Sequence, residues 1–405
     1  MKYVMVIGDG MADYPVKGLD GKTPLQIASH PNMDKIVSQG ICGTLNTVPN
    51  GMGVNTDVAV LSILGYNPKK YYDGRGPLEA ASQGIFLDET SIAFRCNIIS
   101  EKDGILHDYS AGHIETVDAK KLIACINREL GVFGKITFYP GVDYRHLLVF
   151  RGTDYSQEVK CFPPHDVVGK PIKDLMVTPL NKSGVRMASL LNNIILKSRD
   201  ILSNHPINIE RIKNNQNPAN MLWPWSPGKT PKYPKLKDKY SLTGAVISAV
   251  DVIKGIGTYA GMSIIEVPGV TGYIDTNYEG KAKYALKSLE NHDFVLVHVE
   301  APDEAGHMGD HTLKIKTIED LDERLLGIIL KEIKDDFTIA ILCDHLTPVT
   351  LRTHTSDPVP FAIYSNLNKK NNVISHFDEV CIKQSLLHIK NGYRFFQFFL
   401  KYGKG

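Results

Sequence analysis

Three apolar runs, residues 4–7, 294–299 and 337–342, each lead within a few positions to a carboxylate: Gly8-Asp9-Gly10 after the first, Asp303 and His307 after the second, Asp344-His345 after the third. Continuous rather than alternating hydrophobicity marks strands buried on both faces, which means a parallel sheet covered by helices. In such sheets the functional side chains collect off the carboxyl ends of the strands. The chain is thereby constrained to the α/β class, with carboxylates and imidazoles gathered along one rim.

The remaining pattern fits that class. A strand over 2–7 precedes a predicted helix over 24–39, with Thr23 as N-cap and Pro24 at its first position, then an extended stretch over 42–47. A short helical pattern covers 57–64 and stops at Gly65. Residues 79–178 change texture, with strands over 92–98, 135–139 and 146–150 and a helix near 118–130, and read as an inserted α+β domain. A helical pattern over 183–213 and a proline- and tryptophan-rich ordered loop over 218–234 return the chain to the first domain. Helix (244–254), strand (263–267), helix (280–289), strand (294–299), helix (312–334) and strands (337–342, 361–364) then alternate, as in a largely parallel sheet. The expected division is a discontinuous core of 1–78 and 179–405 and an insert of 79–178.

Bulk properties narrow the function classes. With 405 residues, 43% of them hydrophobic, the chain can bury a sizeable core in more than one domain. Its 46 basic and 44 acidic residues leave a formal charge of +2, so no global field draws it to nucleic acid or anionic membranes. Cysteines at 42, 96, 125, 161, 343 and 381 form no Cys-x-x-Cys pair and read as reduced core thiols. The apolar start is too short for a signal peptide or a membrane span, and a soluble cytoplasmic protein is expected.

Asp9, Asp303, His307, Asp344, His345 and His354 are oxygen and nitrogen donors of the kind that hold Mn²⁺, Mg²⁺ or Zn²⁺. Singly, an aspartate after a strand is usually a turn former and a histidine usually structural. Six at three strand ends and the following loop point to metal, with Asp303 and His307 turned toward one ion by the intervening Glu304-Ala305-Gly306. A structural zinc site is disfavoured, since those are usually closed and cysteine-rich. Residues 51–57, Gly-Met-Gly-Val-Asn-Thr-Asp, form a flexible loop that delivers the Thr56 hydroxyl to a helix start, where free N–H groups favour phosphate. Thr56 is either a nucleophile activated by metal or a plain helix cap.

Taken together, the motifs resemble the cofactor-independent phosphoglycerate mutases of the archaeal type, within the alkaline phosphatase superfamily. The resemblance runs nearly end to end. It is carried by residues 6–11 (Val-Ile-Gly-Asp-Gly-Met), 55–59 (Asn-Thr-Asp-Val-Ala), 65–68 (Gly-Tyr-Asn-Pro), 74–80 (Gly-Arg-Gly-Pro-Leu-Glu-Ala), 108–112 (Asp-Tyr-Ser-Ala-Gly), 298–304 (His-Val-Glu-Ala-Pro-Asp-Glu), 343–345 (Cys-Asp-His) and 352–355 (Arg-Thr-His-Thr). It implies an alkaline-phosphatase-like core in which Asp9, Thr56, Asp344 and His345 hold one divalent ion and Asp303, His307 and His354 a second. Mn²⁺ is the expected ion, Mg²⁺, Zn²⁺ and Co²⁺ are compatible, and no 2,3-bisphosphoglycerate is required. One departure stands out: the family usually reads Gly-Ser-Asp where this chain reads Asn55-Thr56-Asp57, and the added methyl fixes χ1 and crowds the attack.

The resemblance also implies that the insert clamps the substrate as a lid. Arg75, Arg95, Arg145, His146 and His165 are candidates for the clamp, and Lys254 and Lys281 for the phosphate. The expected reaction is the interconversion of 3-phosphoglycerate and 2-phosphoglycerate in glycolysis and gluconeogenesis, through a phosphothreonine at Thr56. A homoserine kinase-like phosphotransferase or a phosphatase on the same scaffold is the alternative. Since metal-binding imidazoles must be neutral, activity should fall below about pH 6, near the free imidazole pKa.

Overall fold

The three apolar runs become neighbouring strands at the heart of one sheet. In the computed structural model, which describes residues 1–404, β1 (Lys2–Gly8) and β2 (Ile41–Leu45) open a first unit. A second unit holds β3 (Ile92–Lys102), β4 (Ile105–Asp108), β5 (Ile136–Tyr139), β6 (Arg145–Phe150), β7 (Val159–Lys160), β8 (Thr178–Pro179) and β9 (Met221–Gly228). The chain then returns to the first unit with β10 (Gly244–Ile247), β11 (Ser263–Ile264), β12 (Phe294–Val299), β13 (Phe337–Leu342), β14 (Val359–Ser365) and β15 (His388–Ile389). Four helices bear on the candidate sites: α1 (Thr56–Ile63), α2 (Arg75–Ser82), α3 (Val185–Ser203) and α4 (Ala301–Met308).

In the first unit the sheet order is β11-β10-β12-β1-β13-β14-β2-β15. Val6 of β1 pairs with Val297 on one side and Ile341 on the other, both in parallel, so the three carboxylate-bearing ends emerge at the same edge. Only β14 runs against the rest. Val4, Met5, Val6 and Ile7 are fully buried, which stabilises the strand by roughly 1.5–3 kcal/mol per large side chain. The largely parallel α/β sheet read from the sequence is therefore present.

Several local readings need correction, and proline explains two. The helix expected over 24–39 divides into Pro24–Ile27, closed by a Thr23–Gln26 capping box, and Pro31–Ser38. Pro31 disfavours helical backbone at His30, which sits at φ −137°, ψ 61°. The pattern over 183–213 breaks in the same way into α3 and Pro206–Lys213. The helix expected to start at 244 instead begins as β10, whose Ala-Val-Ile pairs between β11 and β12, and helix follows only from Asp251.

In the second unit β3 pairs antiparallel with β6 and β9 and forms a hairpin with β4, and β5 flanks β6. The supposed loop over 218–234 holds β9 at its centre. Its Pro224 and Pro227 are tolerated because β9 is an edge strand, where a missing N–H forfeits no ladder bond. α3 packs on β9, and Met187, Leu191 and Ile195 share one apolar cluster with Trp223 and Phe94. That packing draws 179–231 into the second unit, which spans Asp73–Pro231 rather than 79–178; the first comprises Met1–Tyr72 and Lys232–Gly405. Among the described residues no helix is long and apolar enough to cross a membrane.

Candidate metal centre

Asp9 follows β1 directly, and its N–H donates to Val299 O of β12 at 2.9 Å. Gly10 turns the chain with φ 57°, and a Cβ there would strike both Thr347 Oγ1 and Asp303 Oδ1. Only glycine lets this loop lie against Asp303. Asp344 follows β13 by two positions and is held by N–H donors from Gly10 (3.2 Å) and His345 (2.9 Å) on its Oδ1. His345 Nε2 lies 3.3 Å from Asp9 Oδ1 and 3.4 Å from Asp344 Oδ2.

Asp303 and His307 lie one turn apart on α4, an α-helix rather than the turn expected, which puts both on one face. Asp303 Oδ2 is 3.2 Å from His307 Nε2, and its Oδ1 is 3.5 Å from His354 Nε2 and accepts a hydrogen bond from Thr347 Oγ1. His307 Nδ1 faces the Arg352 carbonyl at 3.0 Å and His354 Nδ1 the Val54 carbonyl at 3.1 Å. A carbonyl can only accept, so Nδ1 carries the proton of each neutral ring and its Nε2 presents a lone pair, the two Nε2 atoms lying 3.0 Å apart; a second proton on either ring sits on Nε2 and is donated to Asp303. Bare lone pairs at that separation repel unless a proton or a cation lies between them. Carbonyl anchoring of this kind is how metal-binding imidazoles are oriented. The His354 ring also stacks on His345, centroids 3.9 Å apart.

Electrostatics point the same way. Burial, followed by the neighbouring charges of Asp344, Asp303 and Glu300, pushes the Asp9 carboxyl well above its usual range. Burial also acts to raise Asp303, but hydrogen bonds to His307 and His354 outweigh it and hold that carboxyl well below the usual range. The hydrogen bond to Asp303 in turn raises His307 to about 9. Asp9 Oδ1, Asp344 Oδ2 and His298 Nε2 are buried with no hydrogen-bond partner among the described residues. Two groups, Asp9–His298–Asp344 and Asp303–His345–His354, each bring three donor atoms within 4.8 Å of one another. Repelling buried carboxylates, orphaned donors and converging lone pairs fit divalent cations.

Thr56 opens α1, with Asn55 rather than Thr56 at the N-cap. The Thr56 hydroxyl lies 3.2 Å from His345 Nε2. Next to it, Asp57 accepts from Val58 N (2.9 Å) and from the Tyr72 hydroxyl (2.8 Å). Thus Asp9, Thr56, Asp303, His307, Asp344, His345 and His354 all meet at one rim.

The expected substrate residues divide. In the second unit Arg75 and Arg95 lie over the Trp225 ring, 5.9 and 5.0 Å from its centroid, and His165 meets the same ring edge-on at 5.4 Å. Arg95 also pairs with Glu79 of α2 at 2.6 Å. Arg145 is half-exposed, 3.7 Å from Asp143 and over Tyr144. His146 does not join them: alternation along β6 turns it into the core beside Leu148 and Phe150, and burial lowers its pKa to about 3, so it carries no charge to offer an anion. In the first unit Lys254 is engaged by Glu266 at 3.0 Å. Lys281 is fully buried and donates to the His298 carbonyl at 2.9 Å, which makes it a prop for β12 rather than a surface cation.

Sequence reading missed His298, Thr347, Glu79 and Trp225. His298 left two signals, a histidine inside a strand otherwise apolar throughout and the first place in the motif 298–304, and Glu79 lies in the motif 74–80; Thr347 and Trp225 left none that local pattern could rank.

Residues 38–208 match the family model described as 2,3-bisphosphoglycerate-independent phosphoglycerate mutase. A protein of that name from Methanosarcina barkeri is 48% identical over 390 residues, 96% of each chain. Another, from Methanothermobacter thermautotrophicus, is 46% identical over 96% of this chain and 94% of its own. Among solved structures, the cofactor-independent phosphoglycerate mutase from Thermoplasma acidophilum is 30% identical with a TM-score of 0.66 and covers 100% of both chains. A Pyrococcus horikoshii protein gives a TM-score of 0.84 at 27% identity, over 100% of this chain and 97% of that one. With such identity sustained over nearly the full length of both partners, the chain belongs to the family of 2,3-bisphosphoglycerate-independent phosphoglycerate mutases.

Proposed function

We propose that the chain interconverts 3-phosphoglycerate and 2-phosphoglycerate through a phosphothreonine at Thr56. The observation that carries this reading is the Thr56 hydroxyl, which opens α1 3.2 Å from His345 Nε2, at the edge of the buried carboxylate and imidazole cluster. The name shared by the relatives supports substrate and reaction. Asp9, Thr56, Asp344 and His345 would hold one divalent cation and Asp303, His307 and His354 a second, with Mn²⁺ first in expectation and Mg²⁺, Zn²⁺ and Co²⁺ compatible. Bound there, such ions neutralise phosphoryl oxygens and acidify a nearby hydroxyl, typically worth several kcal/mol of barrier.

Thr56 Oγ1 bonds to phosphorus as the bond to the 3-oxygen of the substrate breaks. The hydroxyl loses its proton, and the departing glycerate oxygen gains one. In the second transfer the 2-hydroxyl of glycerate attacks the phosphothreonine, and Thr56 is regenerated with no net change in protons or phosphoryl groups. Two in-line displacements predict retention of configuration at phosphorus. The start of α1 adds a dipole that favours phosphate, by about 0.3–1 kcal/mol. Arg75, Arg95 and His165, gathered around Trp225, have the chemistry to recognise a carboxylate, which supports reading them as substrate-binding residues. Six unpaired cysteines and a near-neutral charge suit a cytoplasmic enzyme with a small-molecule partner, not nucleic acid or membrane. The kinase or phosphatase alternative finds no support among the relatives named here.

The test is an enolase-coupled assay on 3-phosphoglycerate with no bisphosphoglycerate added. Activity should require divalent metal, vanish with chelator and with Thr56→Ala, and survive in Thr56→Ser. A phosphoryl group should be trapped on wild type and not on Thr56→Ala. Turnover that ignores chelator or tolerates Thr56→Ala refutes the mechanism.

A further inference from the structure

His298 sits one residue from the end of β12, pairs across with Ile7 of β1 and is fully buried. Its Nε2 lies 3.3 Å from Asp9 Oδ2, while the other oxygen, Oδ1, faces His345 Nε2 at the same 3.3 Å. Two imidazoles therefore address opposite oxygens of one carboxylate. Asp9 Oδ1, Asp344 Oδ2 and His298 Nε2 are all buried without a hydrogen-bond partner among the described residues, and Asp9, His298 and Asp344 bring donor atoms within 4.8 Å of one another. Orphaned buried polar atoms are rare enough to require a cause, and three from adjacent strand ends have a common one in a cation. The 3.3 Å from His298 Nε2 to Asp9 Oδ2, like the 3.3 and 3.4 Å from His345 Nε2 to Asp9 Oδ1 and Asp344 Oδ2, is of the size of the donor–donor spacing around an ion with arms of about 2.0–2.1 Å.

The surroundings of His298 permit this role. Its Nδ1 faces Ser248 Oγ at 3.4 Å, and a hydroxyl can accept the Nδ1 proton and leave Nε2 bare. Ser248 is itself anchored by a hydrogen bond from Val250 N at 3.0 Å. Lys281 fixes the backbone beneath the ring by donating to the His298 carbonyl at 2.9 Å.

We propose that His298 Nε2 is a further ligand of the cation held by Asp9 and Asp344, and that this imidazole biases the site towards Co²⁺ and Zn²⁺ over Mg²⁺. The inference rests on the two-cation reading above and specifies which ions its first site prefers. Imidazole nitrogen suits later transition metals, whereas Mg²⁺ prefers oxygen donors and retained water.

The test is equilibrium dialysis of the full chain against Co²⁺ and against Mg²⁺, without substrate, for wild type and His298→Asn, with the visible Co²⁺ spectrum recorded alongside. Loss of a direct ligand should weaken Co²⁺ binding by more than the about 10–100-fold that an outer-shell partner costs, leave Mg²⁺ binding nearly unchanged and shift the Co²⁺ bands. If His298 instead only props Asp9 by donating a proton, asparagine keeps a donor, the Co²⁺ to Mg²⁺ preference stays at the wild-type ratio and the spectrum does not move; that outcome overturns the proposal. Should the variant not fold, Co²⁺-loaded wild-type crystals decide, by whether the anomalous peak at Asp9 and Asp344 is bonded to His298 Nε2 or not. Because no substrate is present, failure here is separate from failure of the mutase reading, which the enolase-coupled assay reports.

Discussion

Binding of the second cation should release a proton, and its affinity should climb with pH well beyond the range of an ordinary histidine. Asp303 Oδ2 sits 3.2 Å from His307 Nε2, and this contact raises the imidazole pKa to about 9. His354 is also raised, its burial outweighed by hydrogen bonding to the same carboxylate. With the two Nε2 atoms 3.0 Å apart, one proton shared at the pair satisfies both, so about one proton must leave before a cation can take the lone pairs. The sign follows: affinity rises as pH approaches about 9 and levels off above it. Each pH unit below that can cost up to about tenfold in affinity. The His307 side chain is 39% exposed, and solvent screening reduces the shift. A total gain of about tenfold or more between pH 6.5 and 8.5 is still expected, where an imidazole near 6.5 gives about twofold. The sensitive range thus lies above the pH 6 suggested by free histidine. Calorimetric titration with Mn²⁺ at pH 7 in two buffers of different ionisation enthalpy counts the released protons, and repeats from pH 6.5 to 8.5 give the slope. His307→Gln should abolish both effects. Flat affinity with no proton release in wild type would refute the reasoning.

Two further predictions concern stability. Glu379 is buried, accepts from Asp13 N (2.8 Å) and Thr23 Oγ1 (2.7 Å), and is pushed by burial from 4.5 up to about 7. A raised acid contributes stability that is full below 4.5 and lost as pH rises through about 7. Urea unfolding should therefore show wild type losing up to roughly 3 kcal/mol between pH 4.5 and 8 through this group, and Glu379→Gln losing correspondingly less; equal pH profiles would count against it. Glu79→Gln leaves the Arg95 charge buried with its 2.6 Å partner neutralised, and should cost about 3–5 kcal/mol in unfolding of the full chain. A cost under about 1 kcal/mol would mean that the pair is screened as an exposed one is.

Much of the fold was legible because its signals are local. Runs such as 294–299 and 337–342 declare strands buried on both faces, since every residue in them is apolar or nearly so, and they form β12 and β13. Asp303 and His307 declare a shared face by spacing alone, whether in the turn expected or on α4. Two misreadings, the unbroken helices over 24–39 and 183–213, passed over a local proline; in the others a distant partner overrode local pattern. Pro224 and Pro227 look like a loop until β3 supplies the ladder that makes β9 an edge strand. Lys281 reads as a candidate cation for the phosphate until its ammonium is found buried and donated to the His298 carbonyl.

The amino-acid order by itself determined the α/β class, the rim on which carboxylates and imidazoles gather, and the threonine delivered to the start of α1, because hydrophobic period and motif spacing are properties of neighbouring residues. Tertiary structure alone decided that His298 and His345 address opposite oxygens of Asp9, that His307 and His354 turn their lone pairs on each other, and that Arg75, Arg95 and His165 share one indole while His146 does not. Those contacts join residues tens to hundreds of positions apart, and strand register, which no short window of sequence contains, sets which of their atoms meet.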